Sequence, residues 1–251
     1  MKYMGSKSRF AKQFLPIILD GRTSDQWYVE PFAGGMNVID KVPGLRIAAD
    51  SNPYLIAMWK SLINGWTPPT EISRDDYNAM RSTPSKYEPD LVGWVGFIWS
   101  FRGKFFGGYT PNKSYTRSNG KTENNVDEQQ RNILKQLRNN VDEQQRNSCA
   151  LANVKFIHST YEDLDIPANS IIYCDPPYAG TTGYNLSFDH SKFWEWCRIQ
   201  SRNGHKLYVS EYSAPDDFKC IWSKQTSTTL GYSTSNFTNK SFTRIERLFV
   251  Q

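Results

Sequence analysis

The segment Asp175-Pro176-Pro177-Tyr178 contains residue types suited to chemistry on a flat ring that carries an amine. Its two prolines lack backbone N–H donors and hold the residues before them extended, so that two carbonyls point away from a strand end. Asp175 and the Pro176 carbonyl could each accept one hydrogen from an exocyclic NH2 group, which frees the nitrogen lone pair, while Tyr178 stacks on the ring. The spacing therefore indicates direct displacement at an aromatic amine.

A second candidate site is a glycine turn that follows an apolar run, Pro31-Phe32-Ala33-Gly34-Gly35. The turn lacks the G-x-G-x-x-G pattern of dinucleotide folds and the GK[ST] of phosphate-binding loops, so it predicts neither. Adjacent glycines allow a ligand to approach the backbone closely, because no Cβ stands in the way. Asp50 ends the next apolar run, where an acid commonly accepts ribose hydroxyls. A nucleoside without phosphates is the ligand that these residues predict.

The elements that must position these residues can be read from hydrophobic patterning. Short β-branched and aromatic runs, each followed by Gly, Pro, Asn or Asp, predict strands, and apolar residues at helical spacing predict helices over 52–64 and 191–203. Strands that alternate with helices indicate an α/β fold with a mostly parallel sheet and helices on both faces, whose ligands bind at the carboxyl ends of the strands. The six predicted strands are 27–30, 45–49, 154–157, 170–174, 205–209 and 245–250.

Residues 65–152 interrupt this alternation and predict an inserted, mainly helical lobe within a catalytic domain made of residues 1–64 and 153–251. The lobe ends in a helical region where residues 124–132 recur letter for letter as 139–147. Two copies are too few for a solenoid, so we interpret them as a local duplication without a catalytic role.

Within the lobe, residues 91–122 include five basic residues, eight aromatics and no acid. Such a stretch suits a polyanion, because basic side chains neutralise phosphates and rings stack on unpaired bases. We expect most of Trp94, Phe97, Trp99 and Phe101 to pack the core of the lobe.

Composition excludes other classes of protein. Thirty Lys and Arg against 25 Asp and Glu give a net charge of +5, which is mildly basic. No stretch approaches the roughly 18 to 20 apolar residues that span a bilayer, and the first residues lack the apolar run of a signal peptide, so we expect a cytoplasmic protein of a prokaryotic cell or viral host. The four cysteines lie far apart without a CxxC pair, so no metal site is expected.

Three motifs in this order resemble those of the Dam-type DNA adenine-N6 methyltransferases, also called the D12 class of amino methyltransferases. They are Met1-Lys2-Tyr3-Met4-Gly5-Ser6-Lys7, Pro31-Phe32-Ala33-Gly34-Gly35 and Asp175-Pro176-Pro177-Tyr178. The resemblance covers most of the chain. It implies the S-adenosylmethionine-dependent methyltransferase fold, S-adenosylmethionine as the methyl donor, and N6 of an adenine in double-stranded DNA as the acceptor. Because this amine is buried in a base pair, the base must be flipped out of the duplex.

The resemblance also implies roles for individual residues. Asp175, Pro176, Pro177 and Tyr178 would form the catalytic corner that binds the target adenine. The family's acid followed by an aromatic falls at Thr160-Tyr161, where the acid is missing, so the expected replacement is Asp163 or a backbone group. The implied cofactor-binding residues are Tyr3, Lys7, Pro31, Phe32, Ala33, Gly34, Gly35, Asp50, Tyr161 and Asp175.

The inserted lobe corresponds in position to the family's target recognition domain. Arg102-Gly103-Lys104-Phe105 is similar to the R-G-x-F hairpin with which these enzymes touch DNA, so we expect a β-hairpin near 101–117. The expected DNA contacts are Arg102, Lys104, Phe105, Tyr109, Lys113, Arg117 and Lys121.

Two alternatives stay open from the sequence. One is methyl transfer to N4 of cytosine, whose amine has the same local geometry, although Asp rather than Ser at the head of the corner favours adenine. The other is a DNA-binding relative that has lost activity, for which the missing acid at Thr160 is an argument and the intact corner a counterargument. We expect an active monomer that needs no metal; restriction–modification is one setting for such an enzyme, and the sequence does not say whether a restriction enzyme accompanies it.

Overall fold

The computed structural model of the 251-residue chain describes residues 1–111, 114–116, 122–138, 151–178, 188–228 and 242–251. Nine strands lie in these ranges, seven of them in one sheet. The strands are β1 (Tyr28–Glu30), β2 (Arg46–Asp50), β3 (Ser114–Thr116), β4 (Thr122–Asn124), β5 (Val154–His158), β6 (Ile171–Cys174), β7 (Lys206–Glu211), β8 (Lys219–Thr228) and β9 (Phe242–Val250). The α-helices are α1 (Ser8–Ile18), α2 (Pro53–Ile63), α3 (Arg74–Ser82), α4 (Pro89–Ile98), α5 (Asn125–Arg138) and α6 (His190–Arg202).

The large sheet has the order β5-β2-β1-β6-β7-β9-β8. Its first five strands are parallel, whereas β9 runs antiparallel to both β7 and β8. This mixed, mostly parallel sheet confirms the predicted fold class. All six predicted strands occur in it. The seventh strand, β8, lies at the edge of the sheet and was not predicted.

Side chains alternate between the two faces of the sheet, as a sheet covered on both sides requires. Tyr28 and Tyr173 point to one face and pack in a cluster with buried residues of α1, α2 and α4. Val29 and Cys174 point to the other face and pack against α6. The helices therefore cover both faces, as predicted, and leave the carboxyl ends of the parallel strands as the edge where loops meet.

Both predicted helices are confirmed, and both begin at an acceptor side chain. The Asn52 side chain accepts from the backbone N–H groups of Tyr54 and Leu55 at the start of α2. Asp189 accepts from the N–H of Lys192 in the same way at the start of α6. Such caps satisfy donors that have no partner within the helix. They fix where each helix starts relative to the preceding loop.

The inserted segment contributes α3, α4, the β3–β4 hairpin and α5. Helix α4 lies so close to α2 that a Cβ added at Gly93 would fall 2.1 Å from the carbonyl oxygen of Tyr54. Val126 and Ile133 of α5 join the same buried cluster as residues of α1 and α2. The segment thus packs directly on the rest of the chain. The domain boundaries at residues 64/65 and 152/153 stay a prediction, and the second copy of the repeat lies outside the described residues.

The hairpin expected near 101–117 is placed differently. Strand pairing occurs later, between Ser114–Thr116 and Thr122–Asn124. Residues 101–108 instead form compact turns, closed by an isolated antiparallel bridge between Ser100 and Tyr109. The reason is local backbone geometry, because Arg102 and Phe106 adopt positive φ angles that curl the chain away from an extended strand.

No helix in the described ranges is both long enough and apolar enough to cross a membrane.

Candidate active site

The predicted catalytic corner leaves the carboxyl end of β6, as expected. Strands β2, β1 and β6 are neighbours in the sheet, so the segments that follow them share one edge. This edge carries Asp50 at the end of β2, the glycine turn after β1 and Asp175 after β6. The order of the strands therefore brings Asp175 beside the glycine turn and Asp50, although more than a hundred residues separate it from both in sequence.

Lys7, at the start of α1, reaches into this corner. Its Nζ lies 3.0 Å from Oδ1 of Asp175 and 3.7 Å from Oε2 of Glu246. It also donates to the Gly5 carbonyl at 3.1 Å and lies 4.2 Å from the centroid of the Tyr178 ring. The Lys7 side chain is only 7% exposed, so its charge is balanced by the two carboxylates rather than by water.

Burial and neighbouring charges shift the pKa values of this group in opposite ways. Burial alone would lower the pKa of Lys7, but the carboxylates of Asp175 and Glu246 raise it above its ordinary value. Burial raises the pKa of Asp175, and the ammonium of Lys7 limits that rise. Ionisable groups shifted by both burial and a specific partner are typical of functional sites.

The ring of Tyr178 is held from two sides. Its hydroxyl donates to Oε2 of Glu246 at 3.1 Å. Its ring meets that of Tyr212 edge to face, with the centroids 4.6 Å apart and an interplanar angle of 88°. Tyr212 is bound in turn through its hydroxyl by Arg244 at 3.1 Å and through its carbonyl by Arg247. The Tyr178 ring, which the sequence predicts to stack on a flat ligand, is thus held in place directly and indirectly by residues of β9.

The side chain of Tyr3 packs closely against the backbone of the glycine turn. A Cβ at Gly34 would lie 2.7 Å from Cε1 of Tyr3, and one at Gly35 would lie 2.6 Å from Cβ of Tyr3. Gly34 also has a φ of +49°, which favours glycine. The missing side chains let the N-terminal segment pack against the turn, which brings Tyr3 and Lys7 to the site. That the turn also binds a ligand stays a prediction.

Asp50 links the two loops that follow β1 and β2. Its Oδ2 accepts from the backbone N–H of Gly34 at 3.0 Å, and its Oδ1 accepts from that of Asn52 at 2.9 Å. Burial raises the pKa of this carboxyl, which the two N–H donors and His158 partly offset. Each carboxylate oxygen can accept two hydrogen bonds, so Asp50 retains acceptor capacity for ligand hydroxyls.

Aromatic rings gather on the α6 side of the glycine turn. The ring of Phe32 lies 5.4 Å from that of Tyr161, and both contact Phe188. At the neighbouring Thr160, where the sequence lacks an acid, the hydroxyl donates to Oδ2 of Asp163 at 2.7 Å. The structure thus brings the acid proposed as a replacement beside the substituted position.

Three buried acids of the described residues, Glu30, Glu211 and Glu246, are not among the predicted site residues. Glu30 ends β1 with 3% of its surface exposed; it accepts from the Tyr28 hydroxyl at 2.9 Å, and burial raises its pKa well above the ordinary range. Glu246, 9% exposed, lies in β9. A charged residue within an apolar run that ends at a motif is the signal that could have found Glu30, and the apolar run from Ile245 gives a weaker one for Glu246.

The predicted DNA contacts divide into exposed and packed residues. Arg102 and Lys104 are exposed, whereas Phe105 and Tyr109 are partly buried against the core. Phe101, expected inside the lobe, is instead 47% exposed, with the Arg102 guanidinium 5.2 Å from its ring centroid. The other three aromatics of that expectation, Trp94, Phe97 and Trp99, are buried, so the prediction that most of the four pack the core is confirmed, and Phe101 is the exception. The predicted contacts that lie outside the described residues are Lys113, Arg117 and Lys121.

The packed rings have defined partners. The Tyr109 hydroxyl donates to the Ile72 carbonyl at 2.8 Å, and its ring stacks 6.3 Å from that of Trp99. Phe105 lies 5.0 Å from Phe97. These rings pack between the loop at residues 101–109 and the hydrophobic core. Among the residues described, no group of three or more His, Cys, Asp or Glu side chains could hold a metal ion.

The chemistry of the edge fits S-adenosylmethionine. A buried carboxylate with remaining acceptor capacity, Asp50, suits the ribose, and the aromatic rings of Phe32 and Tyr161 suit a flat purine. The glycine turn, which follows β1, lies between Asp50 on β2 and the corner after β6. A nucleoside-type ligand bound along this edge would therefore point its other end towards Asp175.

Comparison with known proteins agrees with this reading. Residues 3–88 match the family described as D12 class N6 adenine-specific DNA methyltransferase. The chain is also 24% identical over 215 residues to the Type II methyltransferase M.FokI of Planomicrobium okeanokoites, in an alignment that covers 80% of this chain and 32% of that protein. This chain spans about a third of the length of that relative. The predicted resemblance is thus confirmed, and over residues 3–88 this chain is similar to the D12 class N6 adenine-specific DNA methyltransferases.

Proposed function

We propose that this protein is an adenine-specific DNA methyltransferase that transfers a methyl group from S-adenosylmethionine to N6 of an adenine flipped out of duplex DNA. One observation carries the proposal: Asp175 and Tyr178 lie beside Lys7 at the sheet edge that also carries the glycine turn and Asp50. The match to the D12 class and the similarity to a Type II methyltransferase support it.

In this proposal the corner binds the target base and prepares its amine. Tyr178 stacks on the adenine ring, and Asp175 and the Pro176 carbonyl each accept one hydrogen of the N6 amino group. These two acceptors free the nitrogen lone pair for attack, and the glycine turn with Tyr3 would hold the donor so that a new C–N bond could form as its sulfur–carbon bond breaks. The methylated nitrogen loses one proton, which the Asp175 carboxylate accepts. Fixed acceptors contribute most to such a reaction because they need no reorganisation.

The cofactor residues in this proposal are those of the neighbouring strand ends. Asp50 accepts the ribose hydroxyls, Phe32 and Tyr161 enclose the purine, and the glycine turn with Tyr3 holds the methionine part, for which Pro31 and Ala33 shape the turn. Lys7 keeps Asp175 in place. When bound, S-adenosylmethionine supplies an electrophilic methyl group on a sulfonium sulfur. No metal is needed for this chemistry.

DNA binding is proposed to involve the loop at residues 101–109. Arg102 and Lys104 are exposed and would contact phosphates, and Phe101 presents a ring that can stack on bases next to the opened pair. Phe105 and Tyr109 support this loop. Lys113, Arg117 and Lys121 remain candidates on sequence grounds. We further propose a monomer that acts in the cytoplasm as a modification enzyme.

The test is incubation of the purified protein with labelled S-adenosylmethionine and plasmid DNA, followed by nucleoside analysis. The proposal predicts label in N6-methyl-2′-deoxyadenosine. Label in N4-methylcytosine alone would favour the cytosine alternative. No transfer to any DNA, together with retained DNA binding, would favour the inactive relative and contradict the proposal.

A further inference from the structure

Glu246 lies at the corner because of the way β9 returns along the sheet. The last pair between β7 and β9 joins Glu211 to Arg247. Since β9 is antiparallel to β7, Glu246 is the first residue of β9 beyond the carboxyl end of β7. It therefore lies on the same side of the sheet as the corner after β6, although 71 positions separate it from Asp175 along the chain.

The contacts of Glu246 are with residues of the proposed active site. Its Oε2 accepts from the Tyr178 hydroxyl at 3.1 Å and lies 3.7 Å from Nζ of Lys7. The Glu246 side chain is 12% exposed. A carboxylate this buried costs free energy unless it is paired and hydrogen-bonded. Both of its partners here come from distant parts of the chain, so the pairing fixes their relative positions.

The contact with Tyr178 constrains the orientation of the ring. The hydroxyl oxygen of a tyrosine lies on the axis about which the ring turns, so a hydrogen bond to it fixes the direction of that axis, and a contact with the ring itself limits rotation about the axis. Glu246 holds the hydroxyl while Tyr212 meets the ring edge to face at 88°. Without Glu246, one of these two constraints on the ring is lost, and the stack on a base becomes less well aligned.

The contact with Lys7 affects the charge available at Asp175. Lys7 lies between the two carboxylates, 3.0 Å from Asp175 and 3.7 Å from Glu246. If Glu246 were neutral, the ammonium would pair with Asp175 alone and would engage its oxygens more strongly. Glu246 therefore leaves Asp175 with acceptor capacity for an incoming amine.

We propose that Glu246 is a positioning residue for the methyl transfer, which orients Tyr178 and shares the charge of Lys7 so that Asp175 remains free to accept from the target amine. The inference rests on the proposed function. It assigns a role in the reaction to a residue of the last strand, outside the three motifs that predict the site.

The experiment compares Glu246→Gln and Glu246→Ala with the unmutated protein, using label transfer from S-adenosylmethionine to plasmid DNA. Glutamine keeps an oxygen that accepts from Tyr178 but removes the charge, so we expect kcat to fall roughly tenfold, and roughly a hundredfold for alanine. Affinity for S-adenosylmethionine should stay within about twofold in both. Glu195→Gln, an exposed acid of α6, is the matched control and should change neither quantity.

A second readout separates positioning from general damage. Removing the Glu246 charge removes a carboxylate that raises the pKa of Asp175, so the acid limb of the kcat profile should move to lower pH in Glu246→Gln. In the Tyr178→Phe background, the further loss caused by Glu246→Ala should be smaller than in the unmutated protein, because one shared contact is already absent. The other ionisable groups that face this pair are Lys7, Glu30, Tyr173, Tyr178, Glu211 and Tyr212.

The outcomes distinguish this inference from the proposed function. If the unmutated protein transfers no methyl group, the proposed function fails. If it is active, while both Glu246 variants keep its kcat and its pH profile, the positioning role is wrong. Thermal unfolding of each variant is measured first, and Glu246→Gln decides the question if the alanine variant does not fold, since glutamine retains the size and the hydrogen bond of the native residue.

Discussion

The catalytic corner and the loop at residues 101–109 both combine charged and aromatic side chains, but they differ in how far these side chains are buried. In the corner, the charges of Lys7 and Asp175 are paired and largely buried. In the loop, Phe101, Arg102 and Lys104 are exposed. The corner is therefore preorganised for chemistry, whereas the loop keeps charges in water until a polyanion neutralises them. Substitutions in the corner should act on the rate, and those in the loop should act on affinity and its salt dependence.

The largest effect is expected from Asp175→Ala. This change removes an acceptor for the amine and leaves Lys7 without its nearer carboxylate, so label transfer to DNA should fall by roughly 10³-fold. DNA affinity, measured by filter binding, should stay within about threefold. Asp165→Ala, at an exposed position, is the control and should keep full activity. A loss of DNA binding as large as the loss of rate would contradict the claim that the corner acts on the rate and the loop on DNA affinity.

The two regions are joined by the packing of α4 on α2, which Gly93→Ala should disrupt. The new Cβ would lie 2.1 Å from a backbone oxygen of Tyr54, which cannot move without shifting α2. Overpacking of this kind typically costs about 1 to 3 kcal/mol, and we expect the upper end in urea unfolding. Asn78→Ala, at an exposed site of α3, should stay within about 0.5 kcal/mol. Equal stabilities for the two variants would show that α4 does not anchor the loop.

The contributions of charge and of base stacking to DNA binding by the loop can be measured separately. Arg102→Ala should weaken DNA binding roughly three- to tenfold and lower the slope of log affinity against log salt by about one. Phe101→Ala should weaken binding by a similar factor, because base stacking is worth about 1 to 3 kcal/mol, but should leave the slope unchanged. Lys12→Ala, at an exposed position of α1, is the control. Unchanged binding in both loop variants would place the DNA elsewhere.

The smallest effect concerns pH. Burial raises the pKa of Asp175, and its ionised form is the one that accepts from the amine. The rate should therefore begin to fall, as pH is lowered, above the ordinary range of an aspartate. DNA binding should change less over this range, because an arginine guanidinium stays charged. A rate that stays flat down to the ordinary aspartate range would mean that Asp175 is not the titrating acceptor.

Much of the fold could be predicted from the sequence because its signals are local. The strand and helix patterns and the caps of Asn52 and Asp189 lie within a few residues of the elements they define. Strand β8 was missed because it lies at the sheet edge and pairs with β9 alone, so it carries polar residues such as Lys219 and Lys224. A strand of this kind has little of the apolar pattern that identifies a buried one.

The site could be predicted in part, for the same reason. The corner, the glycine turn and Asp50 are contiguous motifs or end predicted strands. Glu246 has only a weak signal in the sequence, because its place at the corner depends on the antiparallel return of β9. The exposure of Phe101 could not be predicted either, since it depends on the positive φ of Arg102 and on the bridge from Ser100 to Tyr109. The contact of Tyr3 with the glycine turn could not be read from the motif either, since it depends on how the N-terminal segment packs.

The most direct test of the central claim is a crystal structure of the protein with S-adenosylhomocysteine and a duplex that carries its methylation site. The account predicts the cofactor's ribose at Asp50, its sulfur beside Asp175, and the amino group of an extruded adenine between Asp175 and the Pro176 carbonyl. A cofactor bound away from this edge, or a target base held at any other place, would contradict it.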